Sequence, residues 1–196
     1  MPRLKIRSQV DVDQEARNKG ILDDCGPSSA AAAASWVLKK DISAAEGIAA
    51  KAEATGYTEK QGVSDNGSSL SELAKTVKVL GAHGRYPADW QDVVQSAKNG
   101  DALIINVEQA KMPFYDGVKM SKWHRQYVKS HPGYEYGHMT SAAFDATEGW
   151  MWACPTMSGK GDEEFAVSIT EAQLKQIASS KGDAPKSRVL IVSAKK

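Results

Sequence analysis

A run of five alanines, Ala30 to Ala34, most constrains what this 196-residue chain can fold into. The run follows Cys25 and Pro27 in the sequence DCGPSSAAAAASWVLKK. Alanine favours helix, and a proline in the first turn of a helix costs no hydrogen bond. We therefore predict a helix that begins within a residue or two of Cys25. Because the alanines carry so little side-chain bulk, we expect a sheet to approach this helix closely and bury it.

Capping residues and apolar periodicity predict four further helices. Two begin at serines and end near glycines, over roughly 43 to 54 and 70 to 80. The third lies in ADWQDVVQSAKNG and ends at Asn99 and Gly100. The fourth lies in ITEAQLKQIASS, with Ser168 or Thr170 as its cap.

Short apolar segments predict the strands. DALIINV (101 to 107) and RVLIVSA (188 to 194) have the length and bounds of buried strands, and HMTSAAFD, ATEG and WMWACPT read as strand, turn and strand. Helices that come first and strands that come later favour an α+β fold with an antiparallel sheet over a doubly wound one. The chain length predicts a single domain over residues 1–196.

Composition excludes several classes of protein. The chain has 25 Lys plus Arg against 24 Asp plus Glu, which argues against a nucleic-acid partner or an anionic membrane surface. No apolar run is long enough to span a bilayer, and MPRLKIRSQV lacks the hydrophobic stretch of a signal peptide, so we expect a cytoplasmic protein when made. Two cysteines are too few for a disulfide framework, so we expect both to be free thiols. No motif for a cofactor or a metal is found, so none is predicted.

Cys25 is the candidate nucleophile. A catalytic cysteine reacts as its thiolate, and a helix N-terminus supplies the partial positive charge and free N–H groups that favour the anion. The alternative is a small buried residue beneath the alanine helix, the usual fate of a free cysteine.

His138 is the candidate base. It follows Gly137 at the start of the first hairpin strand, and a strand holds a base more rigidly than a loop does. The alternative is a sheet histidine without catalytic function. The other three histidines lie after a helix or inside the connector before the hairpin: His83, His124 and His131.

The sequence contains three motifs in this order: DCGPSSAAAA, GH (Gly137 and His138) and CP (Cys154 and Pro155). They resemble the papain-like cysteine peptidases of the bacteriocin-leader-processing type, whose relatives include catalytic domains of phage cell-wall lysins. The resemblance implies a papain-like fold with a central N-terminal helix packed on an antiparallel sheet. It also implies that Cys25 is the nucleophile and His138 the general base, with no cofactor.

The resemblance departs from the family at the third catalytic position. The family has an Asp or Asn before a proline to orient the histidine, whereas this chain has Cys154, and a thiol does not fix an imidazole tautomer as a carboxylate does. Three interpretations remain open: a dyad without a strong orienter, substitution by Asp145 or Thr156, or an inactive protein. The family also places a glutamine upstream of the nucleophile at the oxyanion hole. Of Gln9 and Gln14, the SQVD context favours Gln9.

The connector from 108 to 137 is long, polar and aromatic, which is typical of functional or disordered segments. Our hypothesis is that it forms one wall of a substrate cleft; the alternative is a surface insertion without a role. The candidate contacts are Trp123, Tyr127, Tyr134 and Tyr136.

The resulting functional expectation is a cysteine peptidase with a peptide substrate. The family resemblance favours bacterial peptidoglycan and a phage endolysin-like endopeptidase, released by lysis or carried in a virion. Two alternatives remain: a papain-like deamidase or acyltransferase that acts on a protein, and a catalytically silent module with a structural or binding role.

Overall fold

The fold is known from a computed structural model, which describes residues 4–5, 24–56, 68–108, 137–155, 166–179 and 185–194. Within these ranges the chain forms five α-helices and six β-strands. The helices are α1 (Cys25–Leu38), α2 (Ala44–Thr55), α3 (Leu70–Val79), α4 (Trp90–Lys98) and α5 (Glu171–Ala178). The strands are β1 (Ala82–Arg85), β2 (Ala102–Glu108), β3 (Gly137–Asp145), β4 (Gly149–Ala153), β5 (Val167–Ile169) and β6 (Val189–Ala194), and a short 3₁₀ helix covers Pro185–Ser187.

The six strands form one antiparallel sheet in the order β1-β6-β2-β3-β4-β5. Its centre is β2, where Leu103, Ile104 and Ile105 are fully buried, next to the equally buried β6. The near-continuous apolar run of β2 follows from burial on both faces of the sheet. The predicted α+β class with an antiparallel sheet is confirmed.

Helix α1 lies in the core. Ala30 to Ala34 are 0–2 % exposed, and the helix packs on β2, β3 and β6 while it also contacts α2 and α3. Alanine side chains allow the helix and the sheet to approach closely, and surrounding elements cover the remaining sides. The sequence expectation of a central, closely packed helix is confirmed.

Capping explains where the other helices begin. Ser43 with Glu46, Ser69 with Glu72, and Thr170 with Gln173 each form a capping box, in which side chain and backbone satisfy each other's free groups. Thr170, rather than Ser168, therefore caps α5. The observed helix bounds lie close to the predicted ones. Among the described helices, none has both the length and the apolar character needed to cross a membrane.

Two strands, β1 and β5, were not predicted. Both are edge strands, and β1 exposes His83 and Arg85, so neither carries the apolar run by which a buried strand is identified. Gly84 in β1 lets α3 approach, because a Cβ there would lie 3.1 Å from Ala74 Cα. The strands therefore do not all follow the helices in sequence, since β1 lies between α3 and α4.

Candidate active site

Cys25 is the first residue of α1 and is 7 % exposed. Asp24 occupies the N-cap position. Its side chain makes no capping hydrogen bond, and its carbonyl oxygen accepts from the Ser28 N–H at 3.0 Å. Pro27, in the same turn, has no N–H to satisfy. The helix start thus puts its partial positive charge beside the Cys25 thiol. The predicted position of the cysteine at a helix N-terminus is confirmed.

The start of α1 is held by close packing against two other segments. A Cβ at Gly26 would overlap the side chain of Ser68, the residue that precedes the cap of α3. A Cβ at Gly47 in α2 would overlap the backbone carbonyl of Pro27. Gly26, next to Cys25, is therefore needed because a side chain there would overlap Ser68. The sequence did not predict this contact.

His138 is the second residue of β3 and is 4 % exposed. Val107 of β2 lies opposite it, and β3 is paired with β2 on one side and β4 on the other. At His138 it is the pairing with β2 that holds the backbone, since the described pairing with β4 begins at Ser141, and a rigid strand is what a base requires. The expectation that a strand carries this histidine is confirmed.

Trp36 anchors the far end of α1 at the start of β2. Its indole N–H donates to the carbonyl of Gly100 at 3.2 Å, just before β2 begins. From Trp36 back to Cys25 the helix rises about 16 Å. From Ala102 to Val107, the partner of His138, the strand rises about 17 Å. The two lengths are nearly equal, so a helix aligned with β2 would bring its start to the end of the sheet that carries His138.

Cys154 contacts His138 directly. Its Sγ lies 3.1 Å from Nε2 of the imidazole, and both side chains are buried, with Cys154 1 % exposed. Cys154 follows the last residue of β4, one step beyond the paired Ser141 and Ala153. The position that carries the orienting Asp or Asn in the papain-like family is therefore against the histidine here, with sulfur in place of oxygen or nitrogen.

Asp145, the other described candidate for the orienting role, is not brought to His138. It lies at the opposite end of β3, about 23 Å away along a strand that rises about 3.3 Å per residue. Its carboxylate accepts hydrogen bonds from the N–H groups of Glu148 and Thr147, which lower the pKa of Asp145. Asp145 therefore shapes the β3–β4 turn, and the structure gives no support to its substitution for the orienter.

The remaining site candidates lie outside the described residues: Gln9, Trp123, Tyr127, Tyr134, Tyr136 and Thr156. Trp150 and Trp152 of β4 are 6 % and 2 % exposed. Trp150 meets Phe144 edge to face, with ring centroids 5.2 Å apart. Both tryptophans belong to the core.

Comparison with known proteins identifies the fold. No family model matches the sequence, and no curated protein matches it. A crystal structure of a proposed C39-like peptidase from Bacillus anthracis is similar to this chain, with a TM-score of 0.52 and 13% sequence identity, over 89% of this chain and 90% of that one. At this identity the likeness shows the fold alone. The predicted papain-like α+β fold is thus confirmed as a C39-like peptidase fold.

Proposed function

We propose that this protein is a cysteine peptidase with Cys25 as nucleophile and His138 as general acid and base. One observation carries the proposal: a cysteine opens the buried central helix, and that helix packs on the strand that carries a buried histidine. The shared fold with a proposed peptidase supports it.

The chemistry follows from these positions. The Cys25 thiolate attacks the carbonyl carbon of a peptide bond, and the oxyanion that forms faces the N–H of Cys25, with Gln9 as the proposed second donor. His138 gives its proton to the leaving amine as the C–N bond breaks. A water molecule then attacks the thioester carbon while His138 takes up its proton. The C–S bond breaks, the acid product leaves, and the Cys25 thiolate and the protonated His138 are restored.

Cys154 is the cysteine seen in contact with His138, but its position does not suit a nucleophile. It is less exposed than Cys25, at 1 % against 7 %, and it follows a strand rather than opening a helix. A nucleophile at that position lacks the N–H groups of a helix start to face the oxyanion. We therefore assign the attack to Cys25.

For the substrate we propose the peptide stems or crosslinks of bacterial peptidoglycan. Only the resemblance of the CGPSS and GH segments to phage lysins supports this choice, since the segments proposed to line the cleft are not described. Peptidoglycan peptides have amide bonds of the type that a cysteine peptidase cleaves.

The first test is the pH dependence of alkylation by iodoacetamide, with mass spectrometric mapping of the modified cysteine. We expect Cys25 to react well below the ordinary thiol pKa of about 8.5, and to lose this advantage in His138→Ala. Cys25→Ser removes the reactive site, and Cys154→Ser removes the other thiol from the map. His83→Ala is the matched control, because His83 is exposed on β1 at the far edge of the sheet.

The outcomes separate the candidate functions. An unreactive Cys25, or one indifferent to His138, overturns the peptidase proposal and supports a silent structural or binding module. Rapid alkylation of Cys154 instead of Cys25 overturns the assignment of the nucleophile. If Cys25 is reactive, purified peptidoglycan is digested with the wild type and Cys25→Ala: new amino groups indicate a peptidase, whereas released ammonia without chain cleavage indicates a deamidase.

A further inference from the structure

The contact between His138 and Cys154 assigns roles to the two nitrogens of the imidazole. Nε2 lies 3.1 Å from Cys154 Sγ, within hydrogen-bonding distance for sulfur. Both groups are buried, so water does not compete strongly for this contact. The proposed reaction therefore assigns the proton exchange with the nucleophile to Nδ1.

A thiol can take either role in a hydrogen bond with an imidazole. If the Nε2–H donates to sulfur, Nδ1 of the neutral ring carries no proton and can accept one from Cys25. If the Cys154 thiol donates to Nε2, the ring proton lies on Nδ1, and Nδ1 cannot act as a base. Only the first arrangement supports the reaction, and loss of the correct tautomer is costly in enzymes of this kind.

We infer that Cys154 is the positioning residue of His138: its sulfur accepts a hydrogen bond from Nε2–H and so keeps Nδ1 available to Cys25. This inference rests on the proposed peptidase function. Cys154 thereby takes the place that the resemblance assigns to an Asp or Asn. Asp145, the other described candidate, is held in its turn at the opposite end of β3.

Substitution separates positioning from packing. Cys154→Ala removes the acceptor, and we expect the alkylation rate of Cys25 at neutral pH to fall about tenfold, as the loss of one hydrogen bond allows. Cys154→Asn supplies an amide oxygen as acceptor, and we expect it to restore the rate to that of the wild type or above. A merely structural role for Cys154 predicts no such rescue, because asparagine is larger and more polar than cysteine.

The tautomer itself is measured by ¹H–¹⁵N correlation spectra of the imidazole, assigned with His138→Ala. We expect a proton on Nε2 in the wild type and in Cys154→Asn, and a shifted Nε2 resonance in Cys154→Ala. Thermal unfolding of each variant identifies any that fails to fold, in which case Cys154→Ser replaces Cys154→Ala and is expected to retain the Nε2 proton.

Two results overturn the inference: an Nε2 without a proton in the folded wild type, or an alkylation rate and Nε2 resonance that do not change in Cys154→Ala. Failure of the proposed function is a different result. An unreactive Cys25 in the wild type overturns the peptidase proposal, whereas the tautomer measurement still decides whether His138 donates to Cys154.

Discussion

Gly26 lies so close to Ser68 that no side chain fits between them. A Cβ at position 26 would overlap Ser68 and come within 3.2 Å of Leu73 Cδ2. Helix propensity favours alanine over glycine by about 1 kcal/mol, but overpacking costs about 1–3 kcal/mol. The overlap therefore decides whether Gly26→Ala stabilises or destabilises the protein. We expect Gly26→Ala to lower the free energy of unfolding by about 1 kcal/mol, measured by urea denaturation.

Removal of the Ser68 side chain provides the control. In a Ser68→Gly background, we expect Gly26→Ala to be neutral or stabilising, because the overlap is gone and the helix propensity of alanine remains. An equal loss of stability in both backgrounds would contradict the proposed packing of the α1 start against Ser68.

The alanine run gives a second prediction about α1. Ala33 is fully buried beneath the sheet, so we expect Ala33→Leu to destabilise the protein by about 1–3 kcal/mol through overpacking. The matched control is Ala49→Leu, at an exposed position of α2, where we expect little change. Chemical denaturation of both variants measures the difference, and similar values for the two would contradict the close packing of α1.

These positions show how far local sequence determines the fold. Helix starts could be predicted because Ser43, Ser69 and Thr170 act on their own next turn, through capping interactions that need no distant partner. Strands β1 and β5 could not be predicted, because short edge strands are defined by the neighbours with which they pair.

The candidate site shows the same division. The position of Cys25 at a helix start is a local property and was predicted. The contact between His138 and Cys154 depends on how β3 and β4 pair, and the sequence analysis, which considered Asp145 and Thr156 as substitutes, did not predict it. The burial of Gly26 against Ser68 likewise needs the fold, since the two residues lie in different segments.

A pH-dependent prediction concerns the ion pair between β1 and α4. The Arg85 guanidinium donates to both carboxylate oxygens of Asp92 at 2.7 Å. This hydrogen bond holds the pKa of Asp92 well below its ordinary value; burial opposes the effect, and the N–H of Ala88 and the hydroxyl of Ser96 add to it. We expect Asp92→Asn to lower the free energy of unfolding by about 1 kcal/mol at neutral pH. The value is modest because the Arg85 side chain is partly exposed.

The sign of the pH dependence follows from the lowered pKa. Asp92 stabilises the folded state fully above the ordinary aspartate pKa of about 3.9, and this contribution is lost as the pH falls through the folded value. Urea midpoints of wild type and Asp92→Asn should therefore begin to converge below about pH 5 and continue to converge below pH 3, down to about pH 1. Asp41→Asn is the control, since that carboxylate is 73% exposed and pairs with Lys5 at 3.2 Å, and we expect a smaller effect. A constant difference between wild type and Asp92→Asn across this range would contradict the role given to the ion pair.

A bifunctional reagent allows a direct test of the placement of Cys25. Cys25 opens α1, and the nearly equal lengths of α1 and β2 lead us to expect the helix start at the end of the sheet that carries His138. Because Nε2 of His138 faces Cys154, Nδ1 faces Cys25 in the proposed dyad. We expect a short bifunctional alkylating reagent such as dibromoacetone to join Cys25 to His138 within one folded molecule, because reaction at Cys25 tethers the second reactive carbon beside the imidazole. Mass spectrometry of a digest identifies the bridged peptides, and urea-unfolded protein at the same concentration is the control. Reagent attached to Cys25 alone in the folded protein, with no bridged product, would show that the helix start lies away from His138 and would contradict the dyad.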